Sequence, residues 1–131
     1  MGLLNWLGFD GSCEKEPVAL DDKNFHDEVY KSDIPVIVDV WSNGCQPCVA
    51  LVPTIKKLAC KYDGKVKVAQ LGASVAPKIM SRLGVRGTPT VLFFKKGAIV
   101  ERVVGFRGQH YYEEIIEADL LEQPSQDEAE K

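Results

Sequence analysis

Residues Ile34 to Trp41 form a nearly continuous apolar, β-branched run, interrupted only by Pro35 and Asp39. A strand of that composition is covered on both faces, which makes it central in its sheet and parallel to a neighbour. The turn Ser42-Asn43-Gly44 follows, and a long helix begins near Cys45. Along it Cys48, Val52, Ile55, Ala59 and Tyr62 recur at three- or four-residue spacing, the stripe expected to be buried. Pro53 lies inside that helix and predicts a kink. A buried strand feeding directly into an amphipathic helix commits the chain to an α/β architecture.

The flanking sequence supplies the remaining elements. Val18-Ala19-Leu20 is a short strand. Asp21 or Asp22 caps a helix running to about Lys31, with Phe25 and Val29 on its inner face. Val66 to Leu71 is a strand, and Ala76 to Leu83 is a short helix ended by Gly84. Thr90 to Phe94 and Ile99 to Val104 make a hairpin around Lys95-Lys96-Gly97, and Gly108 to Leu121 is a final amphipathic helix. The order is β-α-β-α-β-α-β-β-α, with parallel crossovers first and a hairpin plus helix last. At 131 residues this is one domain, expected over 18–121, with an N-terminal arm over 1–17 and an acidic tail over 122–131 expected to be disordered.

Charge excludes one class of partner. Glu122, Asp127, Glu128 and Glu130 against Lys131 account for the whole net charge of −3, so the body is neutral. A neutral body argues against nucleic acid. No apolar stretch approaches the ~20 residues of a membrane span. The arm's Leu3, Leu4, Trp6, Leu7 and Phe9 lack a basic leader and a cleavage site, so they read as packing on the body rather than as a secretory signal. The expected compartment is therefore the reducing cytoplasm. There the close pair Cys45 and Cys48 points to chemistry more than to structure. Cys13 and Cys60 read as partly exposed bystanders; a bridge between them is geometrically open, but nothing in the sequence points to it. His26 and His110 have no ligand spacing to the cysteines, so no metal site is expected.

Several features together resemble the thioredoxin family over roughly residues 18–121. Trp41-Ser-Asn-Gly-Cys45-Gln-Pro-Cys48 looks like that family's redox motif at a strand-to-helix junction, and Asp39 stands where it has a buried acid. Pro53 matches its helix-kinking proline, Arg86-Gly87-Thr88-Pro89-Thr90 resembles the segment carrying its cis-proline, and Gly97 and Gly105 fall where it has hairpin glycines. The resemblance implies a thioredoxin fold, a central mixed β-sheet with helices on both faces. It also implies a protein disulfide reductase that needs no cofactor beyond a redox-active Cys45–Cys48 disulfide. Electrons would come from a thioredoxin-reductase-type flavoprotein and pass to oxidised protein substrates.

The residue types suit thiol–disulfide exchange, in which the thiolate attacks. Cys45 at a helix start meets unpaired N–H groups and the positive dipole end. Lowering a thiol pKa from about 8.5 to about 7 raises the thiolate fraction roughly 15-fold, but the accompanying loss of nucleophilicity leaves a net gain of only about three-fold. Positioning must therefore contribute more than activation. Cys48, one turn further in, is the expected resolving thiol, and Asp39 amid Val36, Ile37, Val38 and Val40 is the expected proton acceptor, its pKa raised by desolvation. Pro47 fits the first helical turn. The resemblance makes Pro89 cis, placing the Thr88 backbone to pair with an extended substrate segment by strand addition.

The sequence also departs from the family. Gly44 stands where a second Trp is usual, Gln46 where Gly is common, and Gln70 where a Lys often pairs with the buried acid. Gly72-Ala73-Ser74 replaces a polar, often acidic, segment. These changes keep two other readings open: a disulfide oxidase or isomerase, and a binding or assembly module whose dithiol is incidental.

Overall fold

The structure, a computed structural model, describes residues 13–122. The readings of the apolar arm residues 3–9 and of the tail beyond Gln123 lie outside that range. Five strands, β1 (Val18–Ala19), β2 (Val36–Trp41), β3 (Lys67–Gly72), β4 (Thr90–Lys95) and β5 (Ala98–Val104), form one sheet in the order β1-β3-β2-β4-β5. β1 and β2 run parallel to β3, whereas β4 and β5 are antiparallel additions. The sheet is thus mixed, with β2 at its centre as its apolar run requires.

Alternation along β2 and β4 divides the interior in two. Ile37, Val91 and Phe93 face helix α1 (Gln46–Lys61) and the C-terminal helix, meeting Leu51, Ile55, Leu58, Tyr112 and Ile116. Val36, Val38, Val40, Leu92 and Phe94 face the other way, meeting Phe25, Val29 and helix α2 (Pro77–Leu83). Position 39 shares the parity of Ile37, so the strand's one carboxylate points beneath α1.

Two elements differ from expectation. The helix expected up to Lys31 is a five-residue stretch of wide turns, His26–Tyr30, closed by Lys31 N–H donating to the His26 carbonyl. The last helix begins as α3 (Gln109–Ile115) and widens over Ile116–Leu120 in the same way, Leu121 N–H donating to the Ile116 carbonyl. Such wide turns carry no distinct hydrophobic period, which is why the pattern does not announce them. Asp21 stands one turn earlier, its carboxylate accepting from Lys23 and Asn24 N–H at 2.8 Å, and the His26–Tyr30 stretch itself starts at Phe25 with no side-chain cap.

The buried stripe of α1 also needs correcting. Val52 is 41% exposed, while Leu51 and Leu58 are fully enclosed. Cys13 and Cys60, read as bystanders, are joined as a disulfide with their Cα atoms 5.9 Å apart. The stripe has a direct test. Leu51→Ala should cost about 2–5 kcal/mol in urea unfolding, and Val52→Ala less than about 0.5 kcal/mol; equal losses would contradict the packing described.

Candidate active site

Strand β2 ends at Trp41, and the chain turns through Ser42, Asn43 and Gly44 into α1. Gly44 has a φ of 76°, a conformation that favours glycine, so the residue at this departure does more than omit a ring. Cys45 is the N-cap of α1, and its Sγ accepts the Cys48 backbone N–H at 3.1 Å. A sulfur thus fills the place that Ser, Thr or Asp usually takes at a helix start. The amide that would otherwise be unpaired faces it, as does the positive end of a 16-residue helix. Pro47 sits at the second helical position, where an absent N–H breaks no helical bond.

Cys45 and Cys48 are disulfide-bonded, with Cα atoms 5.2 Å apart. They differ in surroundings. Cys45 is half-buried beside exposed Gln46 and Pro47, whereas Cys48 is only 4% exposed. Beneath them, a cavity of about 310 Å³ is lined by Asp39, Trp41, Gly44, Cys48, Val52 and Gln70 among others. It opens under the start of α1, so the inner sulfur and the β2 carboxylate share one space.

Asp39 is 4% exposed, and its Oδ1 has no hydrogen-bond partner. Burial pushes its pKa up to about 7. Gln70 is its register partner on β3 and also lines the cavity, but an amide adds no positive charge to hold the carboxylate ionised. The sequence expectation of a desolvated acid without a cation partner matches this geometry.

The segment around Pro89 reaches the same end of the sheet. Val40 pairs with Thr90, so Thr88 and Pro89 lie alongside the residues leaving β2. The Thr88–Pro89 peptide bond is cis. The Ser42 and Thr88 hydroxyls are 2.6 Å apart, tying the loop to the turn before Cys45. Sequence reasoning passed over Ser42; the signal was its position between the apolar strand and the cysteines, opposite a second hydroxyl residue. Trp41 Nε1 is buried without a partner. Gly72 explains the space its ring occupies, since a Cβ there would lie 3.0 Å from the ring. Among the described residues, no group of three or more His, Cys, Asp or Glu is placed to hold a metal, and no helix is long and apolar enough to cross a membrane.

A dithiol capping a helix, a buried carboxyl beneath it and a cis-proline loop beside it define the thioredoxin class of redox protein. The thioredoxin family model matches residues 16–118. Thioredoxin 1 of Nostoc sp. is 40% identical over 84 residues, covering 64% of this chain and 78% of that protein. The thioredoxins of Rickettsia bellii and Chlorobaculum thiosulfatiphilum are each 43% identical over 84 residues, covering 64% of this chain and 80% and 78% of theirs. The chain belongs to the thioredoxin family, and it is a thiol–disulfide oxidoreductase that works with redox partners.

The raised Asp39 pKa has a sign that stability measurements read. The folded state keeps this proton up to about pH 7, whereas the unfolded chain releases it near pH 4. The contribution is present below about pH 4 and is lost progressively as pH rises to about 7. Asp39→Asn has no such loss. In urea unfolding of the oxidised chain it should match wild type near pH 4 and exceed it at pH 8 by up to roughly 4 kcal/mol. Coincident curves at pH 8 would contradict a burial-raised carboxyl.

Proposed function

We propose that Cys45 is the attacking sulfur, Cys48 the resolving one and Asp39 the proton acceptor in the reduction of protein disulfides. The Cys45 thiolate attacks one sulfur of a substrate disulfide, forming a mixed disulfide and releasing the other substrate sulfur as a thiolate that takes a proton. Cys48 then gives its proton to Asp39 and attacks Cys45 Sγ, which breaks the mixed disulfide and frees the second substrate sulfur. Two electrons move from the dithiol to the substrate, and Cys45–Cys48 is left oxidised.

One observation carries this reading: Cys48 and Asp39 line the same cavity, while Cys48 N–H points at Cys45 Sγ. A carboxyl with a pKa of about 7 takes and returns a proton near neutrality with little bias in either direction. On this reading Trp41 and Gly44 shape the surface beside Cys45, and Gln46 and Pro47 face the substrate. The backbone at Thr88, turned by Pro89, pairs with an extended stretch of the substrate.

The same reading extends to the setting. Oxidised proteins are the substrates, a flavoprotein of the thioredoxin-reductase type regenerates the dithiol, and no cofactor is needed beyond the two cysteines. The cytoplasm is the compartment, since a close cysteine pair there serves exchange rather than structure.

Insulin-disulfide reduction with dithiothreitol as electron source tests the roles. Wild type should accelerate precipitation, and Cys45→Ser should remove the acceleration entirely. Cys48→Ser should stop after one step and accumulate a mixed disulfide through Cys45. An inert wild type would return the chain to the binding-module reading, and a Cys45→Ser variant as active as wild type would contradict the role given to Cys45.

A further inference from the structure

The two disulfides are attached at opposite ends of α1. Cys45 opens the helix, and Cys60 lies in its last turn, bonded to Cys13 across a sequence separation of 47 residues. Residues 13–17, to which Cys13 belongs, add nothing to the core: Val18, partly buried, is the first to pack against it, and Leu20 is the first fully enclosed. Instead the segment spans two cavities. One, of about 270 Å³, lies between Lys15 and Glu16 on one side and Ala59, Val66 and Val68 on the other. The second, of about 220 Å³, is lined by Glu16, Pro17, Val52, Lys56, Gln70 and Asp39.

Apart from the disulfide, the segment is held by polar contacts. Lys15 N–H donates to the Lys56 carbonyl at 3.1 Å, Glu16 pairs with Lys56 at 2.9 Å, and Lys15 pairs with Asp63. The ion pairs are largely solvent-exposed, and such pairs hold a chain weakly. They do, however, hold the segment against the end of α1, beside the Cys13–Cys60 pair. Both cysteines are half-buried, like Cys45, rather than enclosed, which leaves external thiols and disulfides a way to them. Cys60 at a helix C-terminus also lacks the amide donors that face Cys45, so its thiolate gains no comparable help and its exchange is slower.

We propose that Cys13 and Cys60 are a second dithiol–disulfide pair, separate from Cys45–Cys48, whose oxidation fastens segment 13–17 to the end of α1 and closes Glu16 and Pro17 over the cavity that reaches Asp39. The oxidant is a disulfide of the glutathione-disulfide class. One of the two thiols, as its thiolate, attacks that disulfide and displaces one small thiol. The other then attacks the mixed disulfide and displaces the second. Two electrons and two protons leave the pair, two small thiols form, and the Cys13–Cys60 bond closes. Reduction reverses each step and leaves the segment on its surface ion pairs and the Lys15–Lys56 backbone hydrogen bond. The pair stands independently of the reductase reading; only the meaning of closing over Asp39 rests on it.

Two measurements on the full chain test this, and neither uses reductase activity, so their failure is distinct from failure of the proposed function. In a Cys45→Ser/Cys48→Ser variant equilibrated with excess glutathione disulfide, Cys13 and Cys60 should become unreactive to maleimide in a monomer. Peptide mapping should join the two positions, and reduction should restore two reactive thiols. Thiols that stay reactive, stop at glutathione adducts or join only between molecules would overturn the pair. In the second measurement, hydrogen exchange is compared between oxidised wild type and Cys13→Ser with Cys45–Cys48 oxidised in both. Amides of residues 15–20 and 69–71 should exchange at least tenfold faster in the variant, with those of 92–94 unchanged. Equal exchange over 15–20 would overturn the closure.

Discussion

Strand β2 lies between β3 and β4 and is buried along both faces, so every side chain it carries must satisfy one of two interiors. Five of its six residues meet that demand with apolar surface or, in Trp41, a large ring. Asp39 does not, and its parity turns it beneath α1, where it is 4% exposed. The desolvation that follows raises its pKa, and because β2 runs directly into the turn before α1, the same residue lies beneath the first turn of that helix. One strand's burial therefore sets both the chemistry of the carboxyl and its place relative to the dithiol.

The two sulfurs draw different properties from one helix start. Cys45 caps the helix, partly open to solvent, where backbone donors favour a negative sulfur. Cys48 is enclosed on the buried face, where an ionised thiol is disfavoured unless a base takes its proton. A neutral Gln70 adds no positive charge to lock the nearby carboxyl in its charged form, which suits the proton-acceptor role proposed for it. Of the departures, Gly44 and Gln46 flank Cys45 directly, while Gly72 makes room for the Trp41 ring.

Much of this was legible in the sequence because the signals were of long range or carried special stereochemistry. The apolar run of β2 and the spacing of Cys45 and Cys48 identified their elements without neighbours, whereas the cis Thr88–Pro89 bond was implied by the family resemblance alone. The wide turns at His26–Tyr30 and Ile116–Leu120 were hidden, since they differ from an α-helix only in which carbonyl each N–H reaches. The α1 stripe was misread at Val52 because an apolar residue next to a true core position is indistinguishable by type. Ser42 and the Cys13–Cys60 pairing depend on contacts 46 and 47 residues apart, for which a single chain offers no local mark.

The central claim is that the sulfur at the helix cap is the reactive one and the enclosed sulfur waits. Rates of alkylation by iodoacetamide, followed by mass spectrometry of each cysteine in the reduced chain across pH 5 to 10, read this directly. The account predicts that Cys45 reacts many times faster than Cys48, with a midpoint below the ~8.5 of a free thiol. Equal rates at the two positions, or a midpoint for Cys45 at or above that value, would contradict it.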